Sequence, residues 1–153
     1  MIPVKTRIIA CGNPLMGNDG VGLKVMEMLL LKNPALDIID GGTGGLGLIP
    51  DMEGYDRIII VDAMIGIGKN KGDVLVFTKT PPVNPSQFSI HDAGISEVIE
   101  IAAHLIPETE IITLGIEAGS IKEYTATPDP EVIRGAEKAS DCIEKILAGE
   151  IFF

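Results

Sequence analysis

The feature that most constrains the fold is a series of five short apolar segments in which apolar and polar residues do not alternate. Continuous apolar segments of this kind are typical of strands buried on both faces, as in parallel sheets covered by helices. The predicted strands are residues 7–11, 36–40, 57–62, 73–78 and 110–114, and the predicted helices are residues 20–32, 46–52, 91–105 and 130–147. This order predicts an α/β fold, a three-layer α/β/α sandwich around a mostly parallel, five-stranded, twisted sheet.

One strand is expected to run against the others. Residues 63–72 connect the third and fourth predicted strands and include Gly66, Gly68 and Gly72. A connection this short and flexible does not provide the helical crossover that parallel neighbours need. We therefore predict that strands three and four pair as an antiparallel hairpin. The proline-rich residues 80–85 follow and predict a mobile loop.

Charge and composition exclude several classes of protein. The 153 residues carry 12 basic and 22 acidic side chains, and this charge of −10 disfavours nucleic acid or an anionic membrane as partner. Hydrophobic residues make up 46% of the chain, so we expect one folded domain, residues 1–153, rather than disorder. Cys11 and Cys142 form no CxxC motif and are predicted to be buried, small apolar residues. The amino-terminal apolar segment spans about four residues, fewer than a signal peptide needs, so we expect a cytoplasmic protein that begins at residue 1.

Three polar residues follow predicted strands at the edge where ligands bind in sheets of this kind. Asp19 follows the first strand, Asp62 ends the third, and His91 begins the helix after the fourth. Each alone has an ordinary structural interpretation: Asp19 as the N-cap of the first helix, Asp62 as a turn residue, and His91 as a cap. Together, two carboxylates and one imidazole are a plausible ligand set for zinc or nickel, with positions left open for substrate or water. The second histidine, His104, lies within a predicted helix and is expected at the surface or in packing.

A glycine motif offers a different hypothesis, a dinucleotide-binding enzyme. The segment after the second strand matches GxGxxG, and Asp62 lies 20 residues beyond its first glycine. Pro50 and Gly54 follow within a few residues and argue against the long helix that such a motif opens. The three glycines are Gly42, Gly44 and Gly47.

Two further hypotheses use single residues. A non-catalytic receiver-like signalling domain would use Asp62, but Gly12 and Asn13 stand where its acidic pair is needed. A nucleophilic enzyme would need Cys11, which is predicted to be buried, or a serine triad, for which no GxSxG motif is present. The candidate serines are Ser86, Ser89 and Ser96.

Four motifs and one histidine carry a family resemblance. They are GNPLMGNDGVG at residues 12–22, IDGGTGG at 39–45, IIIVDA at 58–63, LGIE at 114–117, and the isolated His91. This combination, spread over roughly residues 7–147, resembles the hydrogenase maturation endopeptidases. The first motif is the most specific part of the resemblance.

The resemblance implies an α/β/α endopeptidase that removes a C-terminal extension from the large-subunit precursor of a nickel–iron hydrogenase after nickel insertion. Nickel would arrive with the substrate, no organic cofactor is expected, and Asp19, Asp62 and His91 would meet the metal. Either the metal or one of Asp19 and Asp62 would activate water, and the resemblance leaves this choice open. The substrate would face a loop formed by Gly41, Gly42 and Thr43. One departure is Asn18, which stands where the family usually has an acid and removes one negative charge beside the site.

Overall fold

The computed structural model describes residues 3–78, 90–120, 127–151 and 153, with the backbone alone for residues 90–93. Within these ranges the chain forms five strands, four α-helices and two short 3-10 turns, in the predicted order. The strands are β1 Thr6–Cys11, β2 Ile38–Gly42, β3 Arg57–Met64, β4 Val74–Phe77 and β5 Glu110–Glu117. The helices are α1 Val21–Lys32, α2 Ile49–Met52, α3 Ile90–Leu105 and α4 Pro130–Leu147, and the 3-10 turns are Gly17–Gly20 and Leu46–Leu48.

The sheet is covered on both faces. Its spatial order is β2-β1-β3-β5-β4, and all neighbouring strands are parallel except β4 and β5. Helices α1 and α4 pack on one face, where Val25 and Ala136 join the core around Ile59. Helices α2 and α3 pack on the other face, where Met52 and Ile95 are buried with the strands. The predicted three-layer, mostly parallel fold is confirmed.

The predicted pairing of the fourth strand is wrong. Strand β4 is antiparallel, as expected, but it pairs with β5, with Val76 opposite Leu114. Strand β5 lies between β3 and β4, so the two consecutive strands do not form a hairpin.

A buried carboxylate at the end of β5 explains this path. The segment that leaves β3 crosses β5 at Gly115, where a Cβ would lie 2.7 Å from Ile67 Cδ1. Glu117 holds the crossing segment, because its carboxylate accepts the N–H groups of Ile67 at 2.8 Å and Gly68 at 2.9 Å. Its other oxygen accepts Gly119 N–H at 2.8 Å. Hydrogen bonds to a charged acceptor are roughly twice as strong as neutral ones, so they favour the crossing over a direct return along β3.

The predicted N-cap of the first helix is also wrong. Helix α1 begins at Val21, and its N-cap is Gly20 rather than Asp19. Asp19 belongs to the preceding 3-10 turn, Gly17–Gly20, where its Oδ2 accepts Asn13 N–H at 3.1 Å. The carboxylate therefore holds the loop after β1, at the edge of the sheet where a site was predicted.

Several smaller predictions have definite outcomes. Cys11 is buried as predicted, whereas Cys142 is only half-buried. His104 is exposed on α3, and its Nδ1 lies 2.9 Å from the carbonyl oxygen of Glu100, as expected for a surface histidine. The predicted loop at residues 80–85 lies outside the described residues. Among the described residues, no helix is both long and apolar enough to cross a membrane.

Candidate active site at the carboxyl ends of the strands

The loops after β1 and β2 are joined at their base. Gly12 N–H donates to the carbonyl oxygen of Gly42 at 2.7 Å. Gly12 has φ +148°, and a Cβ there would lie 2.2 Å from the carbonyl oxygen of Asp19. Only glycine combines this backbone conformation with this close approach. The sequence motif GNPLMGNDGVG thus folds the 3-10 turn that carries Asp19 directly onto the end of β1.

Asp19 and Asp62 are both buried at this edge of the sheet. Asp19 is 2% exposed, and its 3-10 turn lies against β3. Asp62 is 0% exposed and lies within β3 rather than at its end, because the strand continues to Met64. Side chains alternate along a strand, so Asp62 faces the same layer as Ile60, which packs with α3.

The buried thiol of Cys11 is influenced by three carboxylates near the end of β1. Burial raises the pKa of Cys11 well above its usual range, and the charges of Asp62, Asp40 and Asp19 raise it further, in that order. A carboxylate raises the pKa of a thiol only when it lies close to the sulfur. Asp19, Asp40 and Asp62 therefore lie near the sulfur of Cys11 at the end of β1, and the shared site of Asp19 and Asp62 stays a prediction.

Asp40 was not predicted as a site residue, although its sequence context pointed to a turn. Its Oδ1 accepts Gly42 N–H at 2.7 Å, which is the arrangement of an Asx turn. Asp40 is the exposed member of the three carboxylates. Its turn sets the direction in which the glycine loop leaves β2.

The predicted third ligand, His91, belongs to the first turn of α3, and its side chain lies outside the described residues. Helix α3 leads into β5, which is parallel to β3, so the helix begins at the edge that carries Asp19 and Asp62. Position 91 is one helical turn before Ile95, whose Cδ1 would lie 3.1 Å from a Cβ at Gly44. The start of α3 thus lies beside the glycine loop.

The described side chains do not by themselves form a metal site. Among them, no group of three His, Cys, Asp or Glu residues could hold a metal ion. Asp19 and Asp62 would need a further ligand from outside this set, and the ligand role of His91 stays a prediction.

The glycine loop after β2 presents backbone to solvent. Gly41 points inwards, since a Cβ there would lie 2.7 Å from Ile9 Cγ2. Gly42 has φ +60° and open space around it, and Thr43 is exposed. An extended peptide could approach this bare backbone next to the three carboxylates. The helix that follows, α2, spans only Ile49–Met52, too short to serve as the helix of a dinucleotide-binding motif.

We expect Cys11 to be chemically inert in the folded protein. Its raised pKa keeps the thiol protonated at about pH 8, whereas nucleophilic attack requires the thiolate. Iodoacetamide followed by intact-mass measurement should label the half-buried Cys142 first, and both cysteines in urea. Labelling of Cys11 as fast as Cys142 without urea would contradict the buried placement and reopen the thiol-nucleophile hypothesis.

Comparison with known proteins supplies the family. The family model described as HycI, hydrogenase maturation protease, matches residues 22–147. The hydrogenase 2 maturation protease of Escherichia coli (strain K12) is 27% identical over 97 residues, which cover 60% of this chain and 59% of that protein. The hydrogenase expression/formation protein HupD of Bradyrhizobium diazoefficiens is 28% identical over 149 residues, which cover 92% of this chain and 77% of that protein.

A solved structure agrees with these matches. The NiFe hydrogenase maturation protease HybD from Thermococcus kodakarensis superposes with a TM-score of 0.74 at 27% identity, covering 94% of this chain and 99% of that chain. The fold, the family model and the sequence matches thus confirm the resemblance found in the motifs. The chain belongs to the hydrogenase maturation protease family, a family of peptidases.

Proposed function

We propose that this chain is an endopeptidase that removes a C-terminal extension from the large-subunit precursor of a nickel–iron hydrogenase after nickel insertion. The observation that carries the proposal is the pair of buried carboxylates, Asp19 in the 3-10 turn after β1 and Asp62 in β3, at the edge of the sheet that carries the open glycine loop. The family membership supports the reaction class. The acidic charge of −10 agrees with a reaction in the cytoplasm, away from anionic membranes and nucleic acid.

Nickel is part of the substrate in this proposal. The precursor brings the metal on its own cysteine thiolates, and Asp19, Asp62 and His91 complete its coordination. Carboxylate and imidazole are ligands that borderline divalent metals accept, so these contacts are lost when the precursor lacks nickel. The enzyme would therefore discriminate the two forms by differential affinity.

In this proposal the substrate peptide lies along the glycine loop, near the start of α3. Gly42 and Thr43 face it from the β2 side, where no side chain obstructs the backbone. Hydrolysis then needs an activated water, and two routes use the residues present. Either Asp19 or Asp62 accepts a proton from the water, or the substrate's nickel polarises the scissile carbonyl while both carboxylates hold the metal.

The proposal is tested with a purified large-subunit precursor in nickel-loaded and metal-free forms, each incubated with this protein and followed by intact mass. Loss of a C-terminal peptide from the nickel-loaded form alone is the expected result. Cleavage of both forms would support the peptidase activity and contradict the recognition of nickel. An uncleaved precursor, verified to carry nickel, would contradict this pairing of protease and substrate.

A further inference from the structure

Asn18, the residue before Asp19, has a buried side chain with hydrogen bonds to three other residues. It is 2% exposed and lies in the 3-10 turn Gly17–Gly20. Its Nδ2 lies 2.9 Å from Ala118 O, 3.1 Å from Ser120 O and 3.0 Å from Asp129 Oδ2. Its Oδ1 accepts Asp129 N–H at 2.7 Å. The nitrogen of the amide therefore faces three acceptors with two N–H groups, and its oxygen faces one donor.

These contacts attach the 3-10 turn to two other elements. Ala118 and Ser120 follow β5 directly, and Asp129 precedes α4. Asp129 is held in turn by Lys71, whose Nζ lies 2.9 Å from Asp129 Oδ2. The turn is therefore tied down on the side of β5 and α4.

The other side of the turn is held by the end of β1. Asn13 N–H donates to the Asp19 carboxylate, and Gly12 packs against the Asp19 carbonyl oxygen. Asp19 is thus placed between two anchors, one from Gly12 and Asn13 and the other from Asn18. Release of either anchor would let the carboxylate move relative to Asp62.

The neighbours of position 18 favour a neutral donor while Asp129 carries the charge. A carboxylate there would face the carbonyl oxygens of Ala118 and Ser120 and the negative charge of Asp129, all within about hydrogen-bonding distance. Asparagine instead places its two N–H donors toward these three oxygens, two of which share one hydrogen. The residue that departs from the family pattern is therefore matched to an acid at position 129.

We propose that Asn18 is a positioning residue that sets the Asp19 carboxylate, and that Asn18 and Asp129 form an amide–carboxylate pair in which only one member can carry charge. This inference rests on the proposed function for its link to cleavage. The position of the Asp19 carboxylate can be tested without the proposed function, because the hydrogen bond from Asn13 N–H to Asp19 depends on that position.

The test compares Asn18→Asp with the exchanged pair Asn18→Asp/Asp129→Asn. We expect Asn18→Asp to lower kcat for the nickel-loaded precursor by about 10- to 100-fold with KM changed less than about twofold, because a displaced reacting group costs rate more than binding. The exchanged pair should recover part of the rate, because it removes the repulsion between two carboxylates while the carbonyl oxygens of Ala118 and Ser120 stay in place. Asn33→Asp is the matched control. It makes the same chemical change at an exposed residue, at the far end of α1.

A second readout does not depend on cleavage. The amide resonance of Asn13 in a nitrogen–proton NMR spectrum should shift in Asn18→Asp and return in the exchanged pair, because that amide donates to Asp19. If Asn18→Asp does not fold, Asn18→Ala removes the same contacts without adding charge and should move both readouts in the same direction.

The outcomes separate the two proposals. Normal kcat and an unmoved Asn13 resonance in a folded Asn18 variant would overturn the positioning role. Failure of the exchanged pair to restore either readout would overturn the pairing with Asp129. If the unaltered protein does not cleave the precursor, the proposed function fails, and the Asn13 resonance alone decides the inference.

Discussion

The Asp62→Asn variant is expected to lose kcat/KM for the nickel-loaded precursor by about 10²- to 10⁴-fold, the range found when an acid–base group is removed. Asp62 is 0% exposed within β3, and its charge contributes to the raised pKa of the Cys11 thiol. Asparagine keeps the shape of the side chain and removes both the negative charge and the site that accepts a proton. The loss is therefore expected whether Asp62 binds the metal of the substrate or activates water.

The matched control is Asp141→Asn on α4. Asp141 is exposed, and its Oδ1 lies 3.7 Å from Lys32 Nζ, a surface ion pair of small energetic value. This variant should cleave within about twofold of the unaltered protein. Thermal unfolding of both variants checks that the fold is retained. Full cleavage by a folded Asp62→Asn protein would remove Asp62 from the proposed site.

Local patterns predicted the elements well where burial itself creates the pattern. The apolar residues of α3 recur at spacings of three and four, and Ile95, Val98 and Ala102 are buried against the sheet. Helix α4 begins at Pro130 as predicted, because proline at the first helical position needs no hydrogen-bond partner. The expectation that Asp19 and Asp62 lie at one edge followed from topology alone, since the carboxyl ends of parallel strands share one edge.

The partner of β4 could not be predicted in the same way. An apolar segment such as Val74–Phe77 fits beside β3 or beside β5 equally well, because either neighbour buries it. The choice depends on Glu117, which is distant along the chain and binds the backbone of Ile67 and Gly68. A buried carboxylate that binds backbone N–H groups leaves no periodic pattern in the sequence.

Sequence patterns also failed to predict how two residues around the site are held. Asp19 before a helix predicts an N-cap by local rules, but the 3-10 turn places its carboxylate on Asn13 N–H. Asn18 could be noticed only as a departure from the family motif, and the sequence did not link it to Asp129. That link joins residues from two separate elements and becomes visible only when both lie at one end of the sheet.

The Gly12→Ala variant is expected to lower the free energy of unfolding by about 3 kcal/mol or more, the upper part of the range for overpacking combined with a strained backbone. The new Cβ would lie 2.2 Å from the carbonyl oxygen of Asp19. This oxygen belongs to the backbone and cannot rotate away, so either the 3-10 turn or the end of β1 must move. The φ of +148° at Gly12 adds a conformation that alanine rarely adopts.

Gly47→Ala is the matched control in the neighbouring loop, because a Cβ at Gly47 has no atom within 4 Å. Its stability should change by less than about 1 kcal/mol, as expected for alanine at a position with free space. Urea unfolding of the two variants measures the difference directly. If Gly12→Ala unfolds at the same urea concentration as Gly47→Ala, the turn that carries Asp19 does not pack on Gly12.

If the Gly12→Ala protein is destabilised but still folded at low temperature, we expect it to cleave the precursor more slowly than Gly47→Ala. The displaced turn would carry the Asp19 carboxylate with it.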